Sequence, residues 1–128
     1  VTFNHSVGLR GSQSRAISAN AGSRQLGFND GSFNQMQFSY PNSIKFLNSH
    51  TLLVSDADNN RLRVLDLITN TSSSFCSGDV GHADGNFSTC TLYRPYGLLI
   101  LTDTVYIGTY KRIKRIEGKL GELIFIAE

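Results

Sequence analysis

The stretch from Gly27 to Asp66, GFNDGSFNQMQFSYPNSIKFLNSHTLLVSDADNNRLRVLD, decides how this chain folds. It contains, in order, an Asp-Gly loop, an aromatic residue, a proline, an apolar strand, a turn rich in Asp and Asn, and a second strand. The same order recurs from Gly81 to Glu117, and both the Asp-Gly pair and the proline recur after 54 residues. A repeat of this length that is rich in short strands is typical of β-propeller blades or a related array.

The bulk composition limits the classes of protein to consider. The 128 residues can form one domain with its own core, yet closed propellers contain roughly four to eight four-stranded blades. Two repeats therefore indicate either a piece of a larger protein or copies that complete one another. The net charge of +2 is too small to indicate a polyanionic partner, and the charged fraction of 17% is low. No apolar run reaches the roughly 20 residues that span a bilayer.

The apolar pattern predicts an all-β fold without helices. The repeat predicts antiparallel four-stranded blades in an incomplete propeller or a fragment of one. The segment Thr51–Ser55 is almost uniformly apolar, as expected for a strand covered on both faces, whereas Arg61–Leu67 alternates. Residues 1–7 predict an edge strand or the tail of a preceding blade, and two glycines predict a loop over residues 8–14. The predicted units are the end of a preceding blade with its crossover (1–26) and two blades (27–78 and 79–128).

Spaced aromatic residues predict the core between neighbouring blades. They are Phe33, Phe38, Phe46, Phe75, Tyr93 and Tyr106.

The DADNN segment between the two strands of the first repeat predicts a turn. Asp and Asn side chains accept hydrogen bonds from nearby backbone amides and tolerate left-handed conformations. The pattern superficially resembles a calcium loop, but Arg61 stands where that loop needs Gly, and its distal Glu is absent. We therefore expect a turn-capping, structural role and no metal for these residues: Asp56, Asp58, Asn59, Asn60 and Arg61.

The two cysteines, Cys76 and Cys90, lie 14 residues apart, on the outer strand of one blade and in the loop that opens the next. A disulfide between them would fasten the crossover and stabilise the fold by about 3 kcal/mol, through the entropy of the unfolded chain. It requires an oxidising compartment. The alternative is a pair of unrelated buried thiols. A metal site is not expected, because there is no second pair and no His at ligand spacing.

Three N-glycosylation sequons begin at Asn4, Asn70 and Asn86. Chance alone gives about two in a chain so rich in Asn, Ser and Thr, so their positions carry more weight than their number. Asn70 falls in a predicted outer turn, and Asn86 lies in the loop beside Cys90, which are surfaces where glycans attach. Together with the cysteines, they predict N-linked glycans and a secreted, extracellular or cell-surface protein.

Two further sets of residues are candidates for binding or catalysis. The basic cluster Lys111, Arg112, Lys114 and Arg115 should divide between two strand faces, which favours a solvated edge or a contact between protomers over nucleic-acid binding. The histidines His5, His50 and His82 fall in separate predicted loops. Since no catalytic grouping stands out, we expect no enzyme, no catalytic residue and no cofactor.

Each repeat contains, in order, an Asp-Gly pair (Asp30-Gly31 and Asp84-Gly85), a proline (Pro41 and Pro95), an apolar strand and a basic strand. In this order the two repeats resemble the NHL repeat, a β-propeller family, over roughly Arg15 to Glu128. In the second repeat the turn Asp and Asn are replaced by Thr109 and Tyr110 in a shorter loop. The matching residues of the first repeat are Gly27, Asp30, Gly31, Phe38, Pro41, Asp56, Asn59, Arg61, Leu62 and Arg63; those of the second are Gly81, Asp84, Gly85, Leu92, Pro95, Arg112, Ile113 and Lys114.

The resemblance implies propeller blades but leaves function open, because such propellers serve RNA-binding, protein-binding, enzymatic (zinc-binding amidating lyases) and extracellular structural proteins. An incomplete propeller leaves apolar faces and strand edges that must be covered. We therefore expect a secreted structural or adhesive glycoprotein segment whose partners are copies of itself, other blades or other extracellular proteins. A heterologous contact would give a fibre, as in the tubular flagellar hairs of some algae. The alternative is a module of a larger protein that binds protein or RNA.

Overall fold

The computed structural model describes residues 2–3, 6–10, 17–23, 25–102, 104–117 and 124–127. Within these ranges the regular structure is β, apart from a single 3-10 turn at Ala57–Asn59. The all-β prediction is therefore confirmed for the described part of the chain. None of the described residues forms a helix long and apolar enough to cross a membrane.

The strands form three antiparallel sheets, each built mainly from strands that follow one another along the chain. The first sheet contains β1 (Thr2–Phe3), β2 (Ser6–Arg10) and β3 (Ile17–Ala21). The middle sheet contains β4 (Gly31–Ser32), β5 (Pro41–Asn48), β6 (Thr51–Asp56), β7 (Arg61–Asp66) and β8 (Thr71–Phe75), in the order β4-β8-β7-β6-β5. The last sheet contains β9 (Leu98–Leu101), β10 (Thr104–Thr109), β11 (Arg112–Glu117) and β12 (Ile124–Ala127).

The beginning of the chain differs from the sequence-based expectation. The predicted edge strand over residues 1–7 is replaced by β1 and the start of β2, which pair with each other. The predicted loop over residues 8–14 is wrong for Gly8–Arg10, because these residues belong to β2 and pair with β3. Pairing within the sheet therefore overrides the local preference of Gly8 for a loop.

The three sheets lie side by side, with β5 next to both β1 and β9. Two apolar layers fill the spaces between the sheets. The layer on the side of the middle sheet that contacts Ala21 of β3 contains Ala21, Phe33, Met36, Phe38, Leu52, Val54 and Leu65. The layer between the middle and last sheets contains Leu53, Leu62, Phe75, Cys76, Cys90, Leu92, Leu98, Val105, Ile107 and Ile116.

The aromatic residues divide between core and surface. Phe33, Phe38 and Phe75 are buried, as predicted, and the two tyrosines among the predicted core residues are half-buried. The prediction is wrong for Phe46, whose side chain is 60% exposed. Phe46 lies on β5, at the edge of the middle sheet, beside an irregularity in the pairing with β6.

Candidate functional site: the joints between the sheets

The same backbone hydrogen bonds join a closing strand to the following loop twice in this chain. Gly22 N–H donates to Phe33 O over 2.7 Å, and 54 residues later Cys76 N–H donates to Phe87 O over 2.7 Å. Three further pairs repeat at the same offset, so the two joints are structural copies. The pairs are Ser23 to Met36 and Ser77 to Cys90, Gly27 to Phe38 and Gly81 to Leu92, and Gln37 to Asn29 and Thr91 to Ala83.

The predicted disulfide between Cys76 and Cys90 is present at the second joint, with an S–S distance of 2.11 Å and a Cα–Cα distance of 4.7 Å. The first joint has Gly22 and Met36 at the corresponding positions, and Met36 is fully buried. Backbone φ is positive at both Gly22 (108°) and Cys76 (77°). The second joint therefore has a covalent bond where the first relies on side-chain packing.

The glycines that follow the two closing strands are not equivalent. Ala21-Gly22 and Ser77-Gly78 look equivalent as strand ends, but the hydrogen bonds align Gly22 with Cys76. Gly78, with φ of 90°, serves a different purpose, since a Cβ there would collide with the guanidinium of Arg61. Positive φ is disfavoured for residues other than Gly and Asn, so Cys76 holds a backbone conformation that Gly22 adopts at less cost.

Arg63 is the centre of a buried polar cluster. Its side chain is 0% exposed, and it pairs with Asp30 at 2.7 Å and Asp56 at 2.8 Å. It also donates to the carbonyl oxygens of Gln37 and Asn29. One guanidinium thus connects β7, the end of β6 and the loop that opens the repeat, using the planar set of donors that only Arg offers.

The second repeat has a reduced version of this cluster. Lys114 occupies the position of Arg63, is buried, and pairs with Asp84, the counterpart of Asp30. Its ammonium also donates to the carbonyl oxygen of His82 over 2.9 Å. The counterpart of Asp56 is Thr109, whose hydroxyl donates to the carbonyl of Arg112. The ion pair is conserved between the repeats of this chain, whereas the second carboxylate is not.

The pKa values of the two acids around Arg63 are shifted in opposite directions. For Asp30, burial alone would raise the pKa, but hydrogen bonds from Ser74 and Ser72 and the charge of Arg63 outweigh it, so the pKa lies below its usual value. For Asp56, burial dominates and raises the pKa despite hydrogen bonds from Asn59, Ser39 N–H and Arg63. The difference follows from exposure, since the side chain of Asp30 is 29% exposed and that of Asp56 is fully buried.

The DADNN segment forms a turn, as predicted, but Asp56 does not cap it. Asp56 precedes the 3-10 turn without a side-chain hydrogen bond to its backbone; its carboxylate instead accepts from Ser39 N–H, Asn59 and Arg63. Asn60 ends the turn in the left-handed region, with φ of 54°. The side-chain amide of Asn59 donates a hydrogen bond to the carbonyl oxygen of Gly27 over 2.7 Å.

The same turn also holds the second repeat in place. Asn60 Oδ1 accepts a hydrogen bond from Arg94 N–H at 3.0 Å, and Asp58 pairs with the Arg94 side chain at 2.9 Å. Arg61 donates to the carbonyl of Ser77 over 2.8 Å and covers the ring of Phe28 at 3.7 Å. Asp58 and Asn60 therefore act between the repeats, whereas Arg61 acts within the first repeat. Strand and turn patterns alone did not indicate the contacts between repeats.

The sequon asparagines occupy different settings. Asn70 is exposed in the turn between β7 and β8, with φ of 55°. Asn86 is also exposed, and its Oδ1 accepts hydrogen bonds from the backbone and hydroxyl groups of Ser88 and Thr89. Asn4 lies outside the described residues. Both described sequons are therefore accessible to modification.

The basic cluster divides between faces, as the alternation of a strand requires. Lys111 and Arg112 are exposed and Arg115 is half-buried, but Lys114 is buried in its pair with Asp84. The prediction of a solvated edge is therefore wrong for Lys114. His5 lies outside the described residues, and no group of three His, Cys, Asp or Glu side chains among the described residues could hold a metal ion.

The face of the last sheet that points away from the middle sheet combines exposed apolar side chains with the half-buried Arg115, which lies opposite Tyr106 in the strand register. Leu99 is 51% exposed and Ile113 is 58% exposed. They line shallow grooves together with Tyr96, Tyr106 and Gly108. We call the surface formed by Leu99, Tyr106, Gly108 and Ile113 the outer face.

Comparison with protein-family models and with curated proteins finds no match for this chain. Its function must therefore be argued from the repeated joints and from the outer face.

Proposed function

We propose that this chain supplies NHL-type propeller blades to a secreted structural or adhesive glycoprotein, and that it self-associates in an extracellular assembly. The observation that carries the proposal is the repeated joint together with the outer face. The last sheet exposes Leu99 and Ile113 on its outer face. Exposed apolar side chains that lie together on one surface mark contacts with other proteins, so this face favours assembly.

The arrangement of the sheets supports the propeller part of the proposal. The leading strands β1, β5 and β9 of the three sheets are neighbours, as the innermost strands around a propeller axis would be. Each repeat opens with an acidic loop residue paired to a buried cation, Asp30 to Arg63 and Asp84 to Lys114. A fixed internal ion pair suits a unit that is repeated as a module.

The chemistry of the surface supports an extracellular location. The disulfide between Cys76 and Cys90 is of the kind that persists in oxidising compartments. Asn70 and Asn86 are exposed in turns, where glycans are accommodated without disturbing the core. Neither feature requires a catalytic centre, which agrees with a structural or adhesive role.

Mass spectrometry of native material, without reduction and before and after removal of N-glycans, tests the location. We expect a disulfide-bonded glycoprotein in the extracellular fraction, with glycans on peptides that contain Asn70 or Asn86. Negative-stain microscopy of the same material tests the assembly, for which we expect filaments or other regular particles. Reduced, unglycosylated protein, or dispersed monomers only, would contradict the proposal.

A second candidate function is binding of an acidic ligand such as RNA. Lys111 and Arg112 are exposed beside Tyr96 at one end of the outer face. Binding of RNA that weakens steeply as salt is raised would support it, because each phosphate contact releases counterions. Burial of Lys114 reduces the basic surface available, so we rank this candidate second.

A further inference from the structure

The chain contains an Asp-Gly dipeptide at equivalent places in its two repeats, Asp30-Gly31 and Asp84-Gly85. An Asp that is followed by Gly is prone to cyclise, because Gly has no Cβ to hinder the approach of its nitrogen to the Asp carboxyl group. The amide nitrogen of Gly loses its proton and bonds to Cγ of the protonated Asp side chain, and one carboxyl oxygen leaves as water. Water then opens the succinimide, at the side-chain carbonyl to restore Asp or at the main-chain carbonyl to give isoaspartate.

The first dipeptide is restrained by its surroundings. The carboxylate of Asp30 accepts four hydrogen bonds, two from Arg63 and one each from Ser72 and Ser74, so both of its oxygens are held. Gly31 lies in β4 and pairs with Ser72 of β8. Cyclisation at Asp30 would therefore have to break these hydrogen bonds and separate β4 from β8.

The side chain of the second dipeptide has fewer restraints. Asp84 accepts a hydrogen bond from Lys114 alone among the described residues, and its side chain is 40% exposed. Strand pairing puts Phe125 and Ala127 of β12 at the positions that Ser72 and Ser74 occupy in β8. Since neither Phe nor Ala has a hydroxyl group, the two serine hydrogen bonds of the first repeat have no equivalent here.

The backbone of the second dipeptide is also less restrained. Gly85 lies outside the described strands, in contrast to Gly31. The amides on either side are held, since Ala83 N–H donates to Thr91 Oγ1 over 2.7 Å and Asn86 N–H donates to Thr89 Oγ1 over 3.1 Å. The N–H of Gly85 itself has no acceptor among the described residues. The nitrogen that must attack therefore has no such hydrogen bond to break, and it lies next to an exposed carboxylate.

We propose that Asp84-Gly85 is a site of spontaneous isoaspartate formation in the folded protein, whereas Asp30-Gly31 is protected. The reaction needs no enzyme and no reactant except water. Isoaspartate adds a methylene group to the main chain and shortens the side chain by one carbon, so the carboxylate moves away from Lys114. Because Lys114 is buried, loss of its partner destabilises the second repeat. The inference does not depend on the proposed function.

Incubation of the disulfide-bonded chain at neutral pH and physiological temperature for several weeks tests the inference. Digestion and electron-transfer mass spectrometry, which distinguishes isoaspartate from aspartate, then measure both sites. We expect isoaspartate to form at least about tenfold faster at Asp84 than at Asp30, because Asp30 must release more hydrogen bonds. In guanidinium chloride, where the fold is lost, the two sites should react at similar rates.

Two sets of variants, each shown to be folded by circular dichroism, test the physical reason. Asp84→Glu keeps a carboxylate for Lys114 but would have to form a larger, less favourable ring, so it should abolish the reaction at this position. Ser72→Ala combined with Ser74→Ala should accelerate isoaspartate formation at Asp30, because it removes two of the hydrogen bonds that hold this carboxylate.

The remaining outcomes would overturn the inference. Equal rates at Asp30 and Asp84 in the folded chain would show that the fold does not distinguish the two dipeptides. A folded chain that forms no isoaspartate at Asp84, while the denatured chain forms it, would show that the second repeat is protected as well. An unchanged rate at Asp30 in the double serine variant would refute protection by these hydrogen bonds.

Discussion

Replacement of Arg63 by Met tests the central claim about what holds each repeat together. The side chain makes five hydrogen bonds, to Asp30 Oδ1 (twice), Asp56 Oδ2 and the carbonyls of Gln37 and Asn29. Met fills a similar volume but leaves the fully buried Asp56 without its cation. Asp30 loses less, because it is partly exposed and keeps Ser72 and Ser74.

Removing one partner of a buried ion pair costs about 3–5 kcal/mol, compared with a total stability of about 5–15 kcal/mol for a typical domain. We therefore expect Arg63→Met to lose about 3–5 kcal/mol at pH 7, and less near pH 4, where Asp56, with its raised pKa, takes up a proton more readily. Urea denaturation followed by circular dichroism measures the loss. The double variant Arg63→Met with Asp56→Leu should recover part of it, since an apolar replacement of the whole pair is often tolerated.

Arg94→Met is the control, because the Arg94 side chain is mainly exposed and its pair with Asp58 lies at the surface. Surface pairs contribute about 0–1 kcal/mol. If Arg63→Met loses no more stability than Arg94→Met, the buried cluster does not hold the repeat together and the reasoning fails.

Three further changes have defined outcomes. Replacing Cys76 and Cys90 by Gly and Met, the residues of the first joint, should lower the free energy of unfolding by about 2 kcal/mol in urea denaturation, because the loss of about 3 kcal/mol of loop entropy is partly offset by relief of the positive φ of 77° at Cys76. Replacement of both cysteines by Ala should lower it more. A larger loss for the Gly/Met pair than for the Ala pair would contradict the equivalence of the joints. Lys114→Met should lower the free energy of unfolding by about 1–3 kcal/mol, less than Arg63→Met in the same assay, because Asp84 is 40% exposed and regains water. An equal loss in the two variants would refute the contrast between the two ion-pair clusters. The lowered pKa of Asp30 contributes stability that is complete above the usual value of 3.8 and is lost as the pH falls through the lowered folded value. The difference in unfolding free energy between wild type and Asp30→Asn should therefore shrink below pH 3.8. A difference that does not change with pH would exclude this contribution.

Local patterns predicted the strands well where the chain alternates or is uniformly apolar. β6 and β7 begin at Thr51 and Arg61, where the predicted segments begin, and β6 is buried along nearly its whole length, as its apolar residues indicated. The strand over Gly8–Arg10 was missed, because β2 is held by pairing with β1 and β3 rather than by its own propensity. Phe46 was misplaced because nothing local shows that β5 lies at a sheet edge.

The candidate site was predictable only in part. The disulfide could be inferred from spacing, since 14 residues separate a strand end from the following loop. The cluster around Arg63 was not recognised as a site, because alternation places the residue on a face without showing what covers that face. A signal was present, however: Asp30 and Arg63 recur together as Asp84 and Lys114, and an acid and a base that recur together indicate a pair.

The unequal chemistry of the two joints has a mechanical consequence. If the chain is pulled from its ends, the joint at Gly22 and Met36 resists only through hydrogen bonds and packing, whereas the joint at Cys76 and Cys90 is closed by a covalent bond. The disulfide prevents the loop between the cysteines, 14 residues at about 3.3–3.6 Å each, from being extended. The stretched chain is therefore about 45 Å shorter than it would be without the disulfide. Tension would therefore open the first joint before it could lengthen the second, and a reducing environment would add a second stage of extension.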